Sequence, residues 1–187
     1  MRHDPVLTRK QIIAAADELF YKGNLRSVSV DEIAAKAGIT KKTLYYHFQS
    51  KDELIAAYLD ARDRPTLTRF QEWAGANGTI AERMVRFFGY LGRATKSSNW
   101  RGCGFIRAAA ELADMPGHPA MEVARAHKAR VEAWLAEGLA AERYRDPASL
   151  AKSLMLLVDG TATRIMVHRD TSYAEAAGQM AQMLLRR

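Results

Sequence analysis

The chain has 187 residues, a formal net charge of +7 and 48% residues of the hydrophobic class, a composition typical of a globular protein and not of a disordered or fibrous one. Lys and Arg interrupt every apolar stretch, so no segment reaches the roughly 18 apolar residues of a transmembrane helix. The first residues lack the apolar core of a signal peptide, and the single cysteine, Cys103, excludes an internal disulfide bond. We therefore expect a cytoplasmic protein that does not bind a membrane.

The first part of the chain has apolar residues at helical spacing and strong helix-capping signals. Gly23 is predicted to end a first helix, and Gly38 a second one of only two turns. A third helix reaches about Phe48, and a fourth runs to about Arg64, where Pro65 is expected to stop or kink it. Four hydroxyl side chains stand where these helices would begin and are the predicted N-caps: Thr8, Ser29, Thr40 and Ser50.

Beyond Pro65 the predicted helices become longer. A helix over about residues 66–74 precedes a turn, and further helices follow to the end of the chain. Their approximate ranges are 79–95, 105–113, 120–141, 147–168 and a last one from Thr171 or Ser172. The sequence therefore predicts an all-α fold, with an N-terminal three-helix unit over residues 1–50 and a larger helical domain over residues 51–187.

The second and third helices have the features of a helix-turn-helix, because they are short and are joined by the tight Gly38–Thr40 link. In that motif the second of the two helices lies in the major groove of DNA. Two lysines in its first turn, Lys41 and Lys42, oppose the helix dipole, which favours a nearby phosphate. Four lysines and no acidic residue occur between Ile33 and Lys51, which defines a local basic patch. Tyr46 and His47 are predicted to lie outside and to contact phosphates or bases.

Residues 8–55 resemble the DNA-binding unit of the TetR family of bacterial transcriptional regulators. The stretch from Val30 to Phe48, with its Leu-Tyr-Tyr-His-Phe run, is followed by Ser-Lys-Asp-Glu-Leu, and this combination is highly specific to that family. One departure is Lys42, where many members have Gly, and it adds a positive charge beside the DNA. Outside this segment the similarity is limited to length, helical character and the position of the long C-terminal helices.

The resemblance implies a transcriptional regulator that associates with the nucleoid by binding double-stranded DNA at a palindromic operator. It also implies repression relieved by a ligand, a ligand cavity in the C-terminal domain, and a homodimer formed by the last two helices, residues 147–187. The residues predicted to contact DNA are Ser29, Thr40, Lys41, Lys42, Thr43, Tyr45, Tyr46, His47 and Lys51. For Tyr45, a phosphate contact and packing within the domain remain equal alternatives.

The region from Pro65 to about residue 141 combines aromatic residues with several glycines and methionines, which predicts a mostly apolar pocket for a small hydrophobic or aromatic ligand. Cys103 is either a redox-sensitive thiol or a small residue that is buried or lines the pocket. His127 is either a polar group of the pocket or a core histidine. The candidate ligand-binding residues are Phe88, Cys103, Phe105, Arg107, His127 and Trp134.

The helix from Pro147 has apolar residues beyond one stripe, since Met155 and Leu156 lie off the line of its main apolar face. A helix that is apolar over most of its circumference is buried on two sides, and the second side is predicted to contact another subunit. Gly160 and Ala162 would allow the two helices to approach closely.

The chain shows no pattern typical of a catalytic or cofactor site. His118, His127 and His168 lack metal-ligand spacing, so we expect no metal and no cofactor. The prediction is a DNA-binding regulator and not an enzyme. The alternative is a small-molecule-binding or enzymatic helical protein whose N-terminal unit is only structural.

Overall fold

The computed structural model describes residues 5–186. Over this range the chain forms nine α-helices and no strand, which confirms the all-α prediction. No helix among these residues is long and apolar enough to cross a membrane. The helices are α1 (Pro5–Lys22), α2 (Val30–Lys36), α3 (Lys41–His47), α4 (Lys51–Ala74), α5 (Ile80–Ala94), α6 (Gly104–Glu111), α7 (Pro119–Ala141), α8 (Pro147–His168) and α9 (Ser172–Leu184).

The beginning of α1 differs from the prediction. Thr8 is not an N-cap but lies inside the helix and is buried. Within the described residues the helix already runs from Pro5, three residues earlier. The predicted end is confirmed, since α1 stops at Lys22, directly before Gly23.

The N-cap residues of the later helices make the capping hydrogen bonds that their residue types predict, with one exception. Asp146 caps α8, since its carboxylate accepts the N–H of Ser149, 3.1 Å away, and Pro147 is the first helical residue. Thr171 occupies the N-cap position of α9, but its side chain makes no capping hydrogen bond. The carboxylate of Asp170 instead accepts the N–H of Ser172 at 2.8 Å.

Pro65 does not end α4, which continues through it to Ala74. A proline inside a helix costs about 3 kcal/mol through a lost hydrogen bond and a steric clash. Here the helix carries buried residues on both sides of the proline, among them Leu59 before it and Ala74 after it, and both are fully buried. Packing of the two flanking segments outweighs the local cost, so the separate helix predicted over residues 66–74 is the second half of α4.

The described chain divides into two compact units. The first contains the residues up to Asp63 and the segment Gly104–Arg125, so the predicted boundary at residue 50 lies inside it. Its core combines α1, α2, α3 and the first half of α4 with α6. The fully or nearly fully buried side chains of this unit include Ile12, Phe20, Ile33, Leu44, Phe48, Leu54, Leu59 and Phe105.

The second unit contains Arg64–Cys103 and Ala126–Arg187. Its core is formed by the second half of α4, α5, the second part of α7, α8 and α9. Small residues let α5 and α9 approach closely, since a Cβ atom added at Gly92 would lie 3.0 Å from the Cβ of Ala174. The largest buried side chains of this unit include Ile80, Met84, Phe87, Phe88 and Leu135.

Candidate nucleic-acid interface

Local hydrogen bonds fix the beginnings of α2 and α3. The Ser29 hydroxyl accepts the N–H of Glu32, and the Glu32 carboxylate accepts the N–H of Ser29 at 2.7 Å, which completes the predicted capping box. Donation to this carboxylate by the Ser29 backbone N–H, and to a smaller extent by the Ser29 hydroxyl, lowers the pKa of the Glu32 carboxyl. Thr40 caps α3 by accepting the N–H of Thr43 at 3.1 Å. The first turns of α2 and α3 are therefore capped by the residues that were predicted from the sequence.

The turn between α2 and α3 depends on the backbone of Gly38. Its φ is +68°, in the left-handed region that favours glycine. A Cβ atom at this position would meet nothing within 4 Å, so the requirement for glycine comes from the backbone conformation and not from lack of space. This turn sends the chain from α2 directly into α3.

One face of α3 is buried and the other is presented outward. Leu44 and Phe48, which follows the helix, are at most 1% exposed, as their four-residue spacing predicted. Tyr46 is 79% exposed and Tyr45 is 44% exposed. An exposed fraction this large for a tyrosine leaves the ring and the hydroxyl available to a partner. His47 is half-buried, with its ring edge-to-face against Tyr46 at a centroid distance of 5.2 Å.

The lysines of the basic patch differ in what they already contact. Lys41 forms a 3.0 Å ion pair with Asp31, which raises the pKa of its ammonium group. Lys51 donates a 2.8 Å hydrogen bond to the carbonyl of Arg26, and burial lowers the pKa of its ammonium group. Lys42 is exposed and forms no ion pair with any residue between 5 and 186. It is therefore the patch lysine with its charge most available.

A concave cleft of about 310 Å³ lies beside the exposed face of α3. Its walls come from the beginning of α1, the turn after α2 and α3 itself. The hydroxyls of Thr40 and Thr43 at its rim lie 2.9 Å apart. The lining residues are Pro5, Thr8, Gly38, Ile39, Thr40, Thr43, Tyr46 and His47. Four of the nine predicted DNA-contacting residues thus share one concave surface.

Helix α6 holds the loop between α1 and α2 through long-range contacts that no local sequence pattern predicts. The guanidinium group of Arg107 donates to the carbonyls of Tyr21 and Gly23, at 2.9 and 2.8 Å. The Glu111 carboxylate accepts the N–H of Leu25 at 2.6 Å. We call these contacts the α6 latch; they join residues more than 80 positions apart in the chain.

The latch continues beyond α6. The guanidinium group of Arg26, in the loop, donates to the carbonyl of Glu111 at 2.9 Å and pairs with the carboxylate of Asp114. Further along, Nε2 of His118 lies 3.3 Å from a carboxylate oxygen of Asp52, in the first turn of α4. The segment after α6 therefore forms an ion pair with the loop before α2 and comes close to the first turn of α4.

The predicted ligand-binding residues fall into both compact units, and none of the six lines the cleft beside α3. In the first unit, Phe105 is 2% exposed and Arg107 is occupied by the latch. In the second unit, Phe88 is fully buried with its ring edge-to-face against Phe87 at 5.3 Å. Both phenylalanines are therefore buried within their units, and Arg107 contacts the α1–α2 loop.

The remaining ligand candidates lie in the second unit. His127 is 1% exposed, and Trp134 is partly buried against the core of this unit. The sulfur of Cys103 lies 3.9 Å from the ammonium nitrogen of Lys128, which also pairs with the carboxylate of Asp159. These contacts place the half-exposed thiol of Cys103 near α7. No cluster of three metal-binding side chains occurs within residues 5–186.

The last two helices present apolar side chains to the outside. On α8, Leu156 is 75% exposed and Val167 is 65% exposed. On α9, Met180 and Met183 are 51% and 57% exposed. By contrast, Met155 and Ala162 of α8 are buried within the unit, so only part of the second apolar stripe faces outward.

Comparison with known proteins agrees with this arrangement. The family model for bacterial regulatory proteins of the tetR family matches residues 12–58. The transcriptional regulator YjdC of Escherichia coli is 29% identical over 181 residues, which cover 96% of this chain and 94% of YjdC. The regulator TtgR of Pseudomonas putida is 44% identical over 54 residues, but these cover only 29% of this chain and 26% of TtgR.

Similarity to solved structures extends over nearly the whole length of the chain. The crystal structure of SCO4454, a TetR-family transcriptional regulator from Streptomyces coelicolor, has a TM-score of 0.83 and 29% sequence identity. The alignment covers 96% of this chain and 94% of that one. Together with the helix-turn-helix geometry, these findings agree: residues 12–58 match the DNA-binding segment of the TetR family, and over nearly its whole length the chain is similar to TetR-family transcriptional regulators.

Proposed function

We propose that this regulator is a homodimeric repressor that binds a palindromic operator through α3 and is released by a small hydrophobic or aromatic ligand. The observation that carries the DNA-binding part is the outward face of α3. It combines Tyr46, which is 79% exposed, with the exposed Lys42. The alternative of an enzymatic helical protein does not fit a family of transcriptional regulators.

The proposed DNA contacts divide by chemistry. Lys41, Lys42 and Lys51 supply positive charge for phosphates, and Lys42 is the one with no competing ion pair among residues 5–186. Tyr45, Tyr46 and the hydroxyl groups add donors for phosphates or base edges. Two copies of α3 in a homodimer would read half-sites about one helical turn, or a multiple of it, apart.

Lys42 is expected to contact a DNA phosphate. Lys42→Ala should weaken binding to all DNA sequences and reduce the slope of log affinity against log salt by about one unit, because one fewer counterion is released. The operator is first obtained by selection of bound genomic fragments, and affinity is then measured by fluorescence anisotropy at several salt concentrations. Lys96→Ala, in the second unit, removes the same charge and should leave the slope unchanged. An unchanged slope in Lys42→Ala contradicts the phosphate contact.

The ligand part of the proposal rests on the second unit and on the α6 latch. Cys103 and His127 provide polar groups for a ligand in the second unit, with Trp134 as an apolar wall. Cys103 directly precedes α6, whose Arg107 and Glu111 hold the loop between α1 and α2. A ligand that contacts Cys103 and displaces the beginning of α6 would therefore also move the α6 latch, and with it the loop that leads into the helix-turn-helix.

Release requires that the ligand binds the DNA-free form more tightly than the DNA-bound form. Aromatic and aliphatic compounds titrated into the operator complex should lower its anisotropy, and a tenfold loss of affinity corresponds to about 1.4 kcal/mol of coupling. Glu111→Ala should reduce that coupling, because the N–H of Leu25 loses its acceptor. Glu111→Gln keeps an acceptor and is the matched control. Compounds that bind tightly without any change in operator affinity would refute ligand release and leave DNA binding intact.

A further inference from the structure

The second unit has an open groove of about 390 Å³ where α7 ends, α8 begins and α9 ends. Three arginines line it. Arg143 and Arg145 lie in the turn between α7 and α8, and Arg186 lies two residues after the end of α9. Its apolar part is formed by Tyr144, Leu150 and Leu184. Neither the DNA-binding helices nor the predicted ligand-binding residues contribute to this groove.

The charge of the groove is unbalanced. Within residues 5–186, the side chains of Arg143, Arg145 and Arg186 form no ion pair and no hydrogen bond. Asp146 is the one carboxylate among the lining residues, and it already accepts the N–H of Ser149 as the cap of α8. Guanidinium groups bind carboxylates and phosphates with paired hydrogen bonds, so this set of side chains favours an anion.

The backbone of the turn adds a second observation. Arg143 has a φ of +61°, in the left-handed region where glycine is favoured. The turn that ends α7 places it there, with its N–H donated to Ala140 and the N–H of Tyr144 donated to Leu139. These hydrogen bonds of the turn fix where the backbone of Arg143 lies beside the groove.

The apolar part of the groove is also held in place. The hydroxyl of Tyr144 donates a 2.8 Å hydrogen bond to the carbonyl of Leu185, which links the turn to the end of α9. Leu150 is partly buried against the core of the unit, whereas Leu184 is 37% exposed. The groove thus presents fixed apolar surface next to unpaired positive charge.

We propose that this groove binds a small organic anion, a carboxylate or phosphate monoester that carries an apolar group. The anionic group would be held by the three guanidinium groups, and the apolar group would lie on Tyr144, Leu150 and Leu184. This inference is independent of the operator and of the ligand proposed above.

The test uses isothermal titration calorimetry on the full chain at constant ionic strength. Phenyl phosphate combines charge and an apolar ring, inorganic phosphate has only the charge, and phenol has only the ring. We expect saturable binding of phenyl phosphate, at least tenfold weaker binding of inorganic phosphate, and no binding of phenol. Absence of saturation by phenyl phosphate overturns the proposal, and so does equal binding of phenol.

Variants locate the site and separate it from a structural role. The double variant Arg145→Gln with Arg186→Gln should weaken phenyl phosphate binding at least tenfold, whereas Lys96→Gln should not. Arg143→Gly should weaken binding while raising the melting temperature, since it removes the charge and relieves the backbone. Unchanged binding in these variants overturns the proposal. A double variant that lowers non-specific DNA affinity but not phenyl phosphate binding would assign the arginines to DNA instead, which also overturns it.

Discussion

Leu156→Glu is expected to convert the regulator into a folded monomer and to abolish high-affinity operator binding. Leu156 is 75% exposed in the single chain, so a glutamate there is solvated in the monomer. In the proposed homodimer through residues 147–187 the same carboxylate would be buried without a partner, at a cost of several kcal/mol. A cost of about 2.7 kcal/mol already raises the dimer dissociation constant 100-fold.

Sedimentation at micromolar concentration measures this directly, with circular dichroism to confirm the fold. Tyr90→Glu places the same charge on an exposed position of α5, 45% exposed and outside the proposed interface, and should leave the dimer intact. Leu157→Glu is a different case, because Leu157 packs against the core of the second unit. That variant is expected to unfold the unit. A wild-type chain that sediments as a monomer would contradict the dimer.

Phe88→Ala is expected to lower the free energy of unfolding by about 3–5 kcal/mol, the range for a large aromatic residue in a packed core. Phe88 is fully buried, and its ring lies edge-to-face against Phe87. A Cβ atom added at Gly178 of α9 would lie only 3.7 Å from the Cβ of Phe88, so the backbone of α9 packs against the base of this side chain. Truncation therefore leaves a cavity that the surrounding helices fill only in part.

Urea denaturation at fixed protein concentration measures the loss, since the stability of an oligomer depends on concentration. Trp134→Ala is the comparison, because Trp134 is only partly buried against the same core, and its loss should be smaller. If Phe88→Ala lowers the free energy of unfolding by only about 1 kcal/mol and also abolishes ligand binding, the result would indicate that Phe88 lines a ligand cavity.

The sequence predicted the helix-turn-helix accurately because its determinants are local. A cap such as Ser29 with Glu32 satisfies backbone groups three residues away, and Gly38 sets one backbone angle. The burial of Leu44 and Phe48 follows from their four-residue spacing. Each of these interactions lies within a few residues and can therefore be identified in a single sequence.

Local reasoning was wrong where packing outweighed a local preference. Thr8 has the residue type of an N-cap but is buried inside α1, and Pro65 has the residue type of a helix end but lies inside α4. In the second case the buried residues on both sides of the proline decide the outcome. A helix boundary is a balance of local cost against burial, and burial depends on residues far away in the chain.

The sequence by itself determined the all-α class, the helix-turn-helix and the residues that cap it, because periodicity and capping act over one or two turns. Outside the helix-turn-helix, it did not determine how the side chains divide between core and surface. Only the tertiary structure assigned Arg107 and Glu111 to the α1–α2 loop, Phe88 and Met155 to the core, and Leu156 to the outside. The physical reason is that these roles depend on contacts between segments up to 86 residues apart, and a one-dimensional pattern does not record which segments meet.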